Sequence, residues 1–263
     1  MERLCGLLFE LSNKHRLGAM LALRDKPMSV TRLAEHLQIL TQECSRHAAR
    51  LAELDLIIKR TDGSYHATSF GDLVLEQLAD IEFIAEHSKY FVTHSMKGVP
   101  ENLLSRIGEL RGSILVDNPL LSIHSIEEMV SRTEEYFWTI NFPVPASIFP
   151  LLRQAFKRGV QVRFIAPRHY EVHPIMRGAG TKEDREAYLN ALRSSQIQQA
   201  YIDRMDATIW VSEKELALLS FPKPDGTFDM TGFKSTENKP TQWCKELFES
   251  YWSCSSTTRQ RGA

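Results

Sequence analysis

The segment from Leu56 to Thr68 constrains this chain more than any other. Leu56-Ile57-Ile58-Lys59-Arg60 and Tyr65-His66-Ala67-Thr68 are β-prone runs, and Thr61-Asp62-Gly63-Ser64 joins them. Asp-Gly supplies the positive φ that a tight hairpin turn requires, so two short antiparallel strands are expected here. A lone two-stranded hairpin is marginal in water and needs other elements to pack on. The sequence before it supplies helices. Leu4, Leu7, Leu8, Leu11, Leu17, Met20, Leu21 and Leu23 recur at helical spacing, broken at Ser12-Asn13, two good N-cap residues, so two helices meet there. Asp25-Lys26-Pro27 ends the segment, because proline cannot continue a helix. Val30 to Leu37 forms a short amphipathic helix with Ser29 available as its cap. Gln38-Ile39-Leu40 makes a three-residue turn, and Thr41 is expected to cap a helix running through Leu54.

Helix, short helix, three-residue turn, helix and Asp-Gly hairpin follow the order of a winged helix-turn-helix. In that arrangement the second helix of the pair enters the DNA major groove, so its outer face needs short polar and bidentate side chains. Cys44, Ala48, Leu51 and Leu54 share one side at helical spacing and face a core; Gln42, Ser45, Arg46 and Arg50 then point outward. Arg46 or Arg50 suits guanine, Gln42 adenine, and Thr41 and Ser45 phosphate or base edges. Lys59, Arg60 and Ser64 fall where a wing touches the phosphate backbone. Between Lys14 and Arg60 there are nine basic and five acidic residues, in a chain whose net charge is −1. The positive charge is therefore local, as a duplex-binding face requires. Glu43 fits that face least, unless it reads cytosine.

Three segments carry a family resemblance: Phe9-Glu10-Leu11-Ser12-Asn13-Lys14-His15-Arg16-Leu17, Thr41-Gln42-Glu43-Cys44-Ser45-Arg46-His47 and Asp62-Gly63-Ser64-Tyr65-His66-Ala67-Thr68. They resemble archaeal winged-helix regulators of the arsenical-repressor-like superfamily. Val99-Pro100-Glu101, Ile107-Gly108-Glu109-Leu110 and Leu247-Phe248-Glu249-Ser250-Tyr251-Trp252 are similar to the domain attached to these in the methanogenesis and filamentation regulator family. The resemblance spans nearly the whole chain, with the order of the motifs weighing more than any one. It implies an archaeal, dimeric transcription regulator with a C-terminal sensory or assembly domain. The Cys-rich helix motif of metal-sensing repressors is missing, since Cys44 stands alone with His47 three residues on.

After Thr68 the grammar changes. Phe70, Val74, Leu78, Ile81, Ile84 and Ala85 form one stripe of a helix capped by Thr68 or Ser69 and expected to continue to about His94, a linking and dimerisation element over residues 69–95. Met96-Lys97-Gly98-Val99-Pro100 reads as a linker. Beyond it, strand-like runs at Gly112–Val116, Tyr136–Asn141, Val160–Ile165, Gln198–Ile202, Ala207–Val211 and Leu216–Phe221 alternate with helical ones at Ile123–Thr133, Pro145–Arg158, Glu183–Ser194 and Thr241–Trp252. Such alternation predicts an α/β domain with a mainly parallel sheet over residues 96–255, before a flexible tail at 256–263.

Enzyme signals in this half fail on chemistry. Glu135 to Asn141, a helix, then Arg158 to Ile165 are similar to one half of a phospholipase-D-like domain, whose phosphodiesterases use a His-x-Lys pair. Asp203-Arg204-Met205-Asp206-Ala207-Thr208-Ile209-Trp210-Val211 stands at the matching place without His or Lys, so phosphoryl transfer has no nucleophile and no catalytic residue is expected. Gly178-Ala179-Gly180-Thr181-Lys182 lacks the spacing of a phosphate-binding Walker loop. His169 and His173 lie between Pro167 and Pro174, which oppose the helix a zinc pair would need, so neither metal nor cofactor is expected. A ligand site is expected at the carboxyl ends of the strands, where Asn141, Arg168, His169 and Tyr170 suit a small polar or anionic effector.

Four cysteines without a C-x-x-C pair, apolar runs far short of the ~20 residues of a membrane helix, and no signal-peptide pattern at the start predict a cytoplasmic chain off the membrane. The expectation is an α+β protein: a winged helix-turn-helix over 1–68, a linking helix, and a C-terminal regulatory domain, binding double-stranded DNA as a homodimer without catalysis. Two other readings compete: a phosphodiester- or nucleotide-processing enzyme with a winged-helix appendage, and a protein-interaction adaptor.

Overall fold

A computed structural model describes residues 1–140, 145–168 and 180–255. The chain divides into two compact units, Met1–Glu82 and Phe83 onward.

The first unit begins with α1 (Glu2–Leu11) and α2 (Lys14–Asp25). They part at Asn13, whose side-chain oxygen accepts the backbone N–H groups of His15 (3.0 Å) and Arg16 (3.1 Å). These are donors that the first turn of a helix otherwise leaves unsatisfied. A two-residue strand, β1 (Met28–Ser29), precedes α3 (Val30–Leu37), capped by Ser29. Gln38 closes α3 in the left-handed region (φ 55°), turning the chain into α4 (Thr41–Glu53). The N-cap of α4 is Leu40, with Thr41 already inside the helix, so the expected Thr41 cap is not made. The hairpin follows as β2 (Ile57–Lys59) and β3 (Ser64–Ala67), with Gly63 at φ +83° in its turn. All three strands join antiparallel in the order β1-β3-β2. Leu33, Cys44, Ala48, Leu51, Leu56, Met20 and Leu23 fill the core beneath. α5 (Ser69–Glu86) starts at Thr68, whose hydroxyl accepts from Gly71 N–H at 3.0 Å and donates to the Asp55 carbonyl at 2.6 Å.

The helix expected to run to His94 instead ends at Glu86, and α6 (Ser88–Thr93) is separate. In the second unit Phe83, Tyr90 and Phe91 pack around Phe233. Then come α7 (Glu101–Leu104), a 3-10 turn (Ile107–Leu110), β4 (Ile114–Val116), α8 (Pro119–Arg132), β5 (Tyr136–Ile140), α9 (Ile148–Arg158) and β6 (Gln161–Pro167). The remainder is α10 (Lys182–Arg193), β7 (Ile197–Ile202), β8 (Thr208–Ser212), β9 (Leu216–Ser220), β10 (Gly232–Ser235) and α11 (Asn238–Cys254).

The seven strands lie in the order β4-β10-β9-β8-β5-β6-β7. This sheet is mixed, correcting the expectation of a mainly parallel one. Only β5-β6 and β6-β7 pair in parallel; the other four pairings are antiparallel. Connection length is the reason. A parallel pair needs a crossover of a dozen or more residues; among sheet neighbours consecutive in the chain, β5-α9-β6 and β6-α10-β7 have one, whereas a tight turn joins β8 to β9. Both faces of the sheet are covered. One buries Ile140, Ile165, Val211 and Phe233 with Trp243, Leu247 and Phe248 of α11; the other buries Phe137, Val162, Trp210 and Leu218 with Ile126, Met129 and Val130 of α8. Hence β8 and β9 are buried at every position and show no polar alternation. Among the described residues no helix is long and apolar enough to cross a membrane.

Candidate nucleic-acid interface

On α4 the 3.6-residue period divides the side chains as the sequence suggests. Cys44, Ala48 and Leu51 are buried, Leu54 just beyond is half-buried, and Thr41, Gln42, Ser45, Arg46, Ala49 and Arg50 are exposed. Burial raises the Cys44 thiol above its ordinary pKa, with the neighbouring Glu43 carboxylate adding to the effect, so it sits in the core as a neutral thiol. Glu43 is drawn toward His47, whose Nε2 lies 3.5 Å from its Oε1. His47 in turn stacks on His15 of α2.

The two arginines of α4 differ. Arg50 Nη2 lies 3.5 Å from Glu10 Oε1 on α1, and its Nη1 is 3.8 Å from Glu53. Glu10 is buried and also lies beside Arg16, whose Nε is 3.0 Å from Oε2 while donating to the Glu10 carbonyl at 2.6 Å. No sequence pattern announces this pairing, because Glu10 and Arg50 sit on different helices. Arg46 is exposed and its guanidinium enters none of these pairs.

At the hairpin, Lys59 and Arg60 are exposed and Ser64 is half-buried. The Lys59 ammonium lies over the Tyr65 ring, 5.6 Å from its centroid. Ser64 is committed to the turn: its hydroxyl donates to Asp62 Oδ1 at 2.6 Å and meets His66 Nε2 at 2.9 Å, and its N–H donates to the same carboxylate oxygen. The Ser64 hydroxyl and N–H hold the Asp62 carboxyl below its ordinary pKa. Exposed Leu40 and Ala49 also belong to this surface and were missed in the sequence; a methyl at position 49 suits contact with a thymine methyl.

The four residues suggested for an effector are not assembled by the described structure. Asn141, His169 and Tyr170 lie outside the described residues. Arg168, at the end of β6, donates from Nε to Asp203 Oδ1 at 2.7 Å. At the place matching the phosphodiesterase motif, Arg204 pairs with Asp206 at 2.8 Å. Thr181, of the rejected phosphate-loop motif, caps α10: its hydroxyl and Asp184 form a reciprocal capping box. Among the described residues no three His, Cys, Asp or Glu side chains converge as a metal site would require.

No family model matches the chain, and no curated protein does. Solved structures overlay on it loosely. TrmBL2, an archaeal chromatin protein described with a novel mode of DNA binding, matches at a TM-score of 0.44 and 12% identity over 94% of each chain. NucT from Helicobacter pylori matches at 0.38 and 9% identity over 54% of this chain and 95% of its own. The riboflavin-analogue dimethyltransferase RosA from Streptomyces davawensis matches at 0.26 and 12% identity, over 75% and 63%. With overlays this loose, function has to be read from the chain's own residues.

Proposed function

We propose that the first unit is a winged helix-turn-helix that binds double-stranded DNA, and that the chain is a non-catalytic transcription regulator working as a cytoplasmic homodimer. The supporting observation is the division of α4. Its exposed face offers Thr41, Gln42, Ser45 and Arg46, while its buried face is small and apolar and its one first-turn acid leans on His47. Such a face suits direct readout in the major groove, with Lys59 and Arg60 on flanking phosphates.

The dimer element is α5. Phe70, Val74, Gln77, Ile81 and Ile84 follow alternating steps of four and three, the spacing of a helix-pairing seam. Leu73 beside it is 60% exposed, and Ile81 and Ile84 are 54% and 43% exposed, which is costly for side chains facing water alone. A two-fold pair presents two copies of α4 to half-sites about 34–36 Å apart. An effector held by the second unit then biases the dimer between binding-competent and incompetent states.

The test is selection of duplexes from random DNA, followed by fluorescence anisotropy on the enriched sequence as salt is varied. A palindrome should emerge. If Lys59 and Arg60 of both protomers each neutralise one phosphate, log Kd should rise against log salt with a slope of about 3.6. A protein that enriches no sequence and shows no salt-dependent affinity is not a DNA-binding regulator.

A further inference from the structure

The antiparallel end of the large sheet carries a groove that DNA binding leaves unused. It lies between α8 and strands β4, β10 and β9, with a volume of about 340 Å³. Lys234 enters it from β10, Ser125 from α8 and Glu237 from the start of α11, and Gly112 forms part of its wall. Arg132, Glu215 and Glu128 also line it, but Arg132 lies 3.1 Å from Glu215 and 3.9 Å from Glu128, so these three charges are engaged with one another.

Lys234 and Glu237 are left over. The Lys234 ammonium makes one hydrogen bond, to the buried Ser125 Oγ at 3.4 Å, and has no carboxylate partner among the described residues. Ser125 gives its own proton to the Leu121 carbonyl at 3.0 Å, so its oxygen is free to accept from Lys234. Glu237 occupies the N-cap position of α11, yet its carboxylate makes no capping hydrogen bond and no ion pair among the described residues. Gly112 holds it at the wall: with φ +82°, a Cβ there would fall 2.6 Å from both carboxylate oxygens. Lys234 and Glu237 therefore share the groove without neutralising each other. Lys234 is half-buried and Glu237 stands at the exposed rim, and a ligand carrying both opposite charges can pair with the two at once.

We propose that this groove binds a small zwitterion of the α-amino acid class, its carboxylate on Lys234 and its ammonium on Glu237. Ligand pockets run from roughly 300 to 1,000 Å³, so this one suits a single amino acid and not a nucleotide. A lone anion would satisfy Lys234 and leave Glu237 as it is.

The full chain, without DNA, should be titrated calorimetrically and by thermal shift with the common amino acids. Their decarboxylated amines, their N-acetylated forms and inorganic phosphate serve as controls. One or a few amino acids should bind at a single site and raise Tm, while neither the amine nor the N-acetylated form does. Lys234→Met and Glu237→Gln should each weaken that binding at least tenfold while leaving the circular dichroism spectrum unchanged. Phosphate or the N-acetylated form binding as well as the amino acid would overturn the assignment. So would binding unaffected by either substitution, or no binding by any amino acid. If Lys234→Met fails to fold, Glu237→Gln at the exposed rim and the panel on the unaltered chain still decide it. Because no DNA is present, failure here leaves the DNA-binding proposal standing, and the reverse holds equally.

Discussion

At the residue scale, the contrast between Arg46 and Arg50 tells most about the proposed interface. Spacing alone made them equivalent, both outward and both long enough to reach guanine. Arg50, however, leans on buried Glu10, a residue whose remaining cationic neighbour is Arg16. Moving Arg50 into a groove would strip charge compensation from a buried carboxylate, which is costly. Arg46 has no such tie. Arg46→Ala should therefore weaken operator binding by about 1–3 kcal/mol and relax preference at one base position, whereas Arg50→Ala should alter specificity less. Lys59→Ala should weaken all duplexes about equally, since phosphate contacts carry no sequence information. Anisotropy on the selected duplex and on single-base variants separates the three; an Arg46→Ala protein with unchanged affinity would place the reading face elsewhere. The outward residues of α4 were legible because a 13-residue amphipathic helix repeats its signal. The Arg50 tie was not, because an ion pair between separate helices leaves no periodic trace.

Among the elements, the junction of hairpin and α5 is closely packed around Gly71. Gly71 lies in the first turn of α5 against the Leu56 carbonyl, the same oxygen that accepts Thr68 N–H at 3.0 Å. A methyl group there would press on that oxygen and on the Met20 side chain. Gly71→Ala should thus destabilise the chain by about 1–3 kcal/mol despite alanine's better helix propensity, a loss that thermal unfolding would measure. A stabilised variant would show that α5 shifts away freely. Further along the same helix, Ile81→Glu puts a charge into the seam proposed for dimerisation. It should weaken self-association by about 2 kcal/mol or more, seen as a concentration-dependent move to monomer in light scattering, with secondary structure unchanged. Elements were legible where their chemistry is local: the Asp-Gly hairpin, the Asn13 break and the buried side of α4. The direction of the strands was not. β8 and β9 are buried throughout and mostly apolar because both sheet faces are covered, and such runs read alike in parallel and antiparallel sheets. β10 (Gly-Phe-Lys-Ser) went unseen for the opposite reason, having too little apolar sequence to announce itself.

At the scale of the whole molecule, two units with separate cores need not respond alike to solution conditions, and acid offers a way to tell them apart. In the second unit Asp229 is about three-quarters buried. Burial alone would raise its pKa, yet four groups oppose that. The Thr231 hydroxyl (2.6 Å) and N–H (3.0 Å) donate to Oδ1, Lys223 Nζ lies 3.1 Å from Oδ2, and His94 Nε2 lies 3.3 Å from Oδ1. Together they hold the carboxyl well below the usual carboxylate range. A carboxyl depressed by folding contributes stability that is fully present above its unfolded pKa of about 3.9 and is lost as pH falls toward its folded value. All four tryptophans, Trp138, Trp210, Trp243 and Trp252, belong to this unit, so indole fluorescence reports on it alone. Asp229→Asn keeps the shape and removes the charge. At neutral pH it should cost about 1.5–3 kcal/mol of denaturant stability read by that fluorescence, the worth of hydrogen bonds to a charged group. As pH falls below about 4 the gap between parent and variant should narrow, because the unfolded parent takes up a proton at Asp229 there while the folded one still holds the carboxylate. A gap that stays constant down to pH 2 would assign the acid sensitivity to other carboxylates and leave Asp229 a packing residue. A gap that narrows would identify the Asp229 cluster, which ties α6 to the loop before β10, as an electrostatic clasp of the second unit.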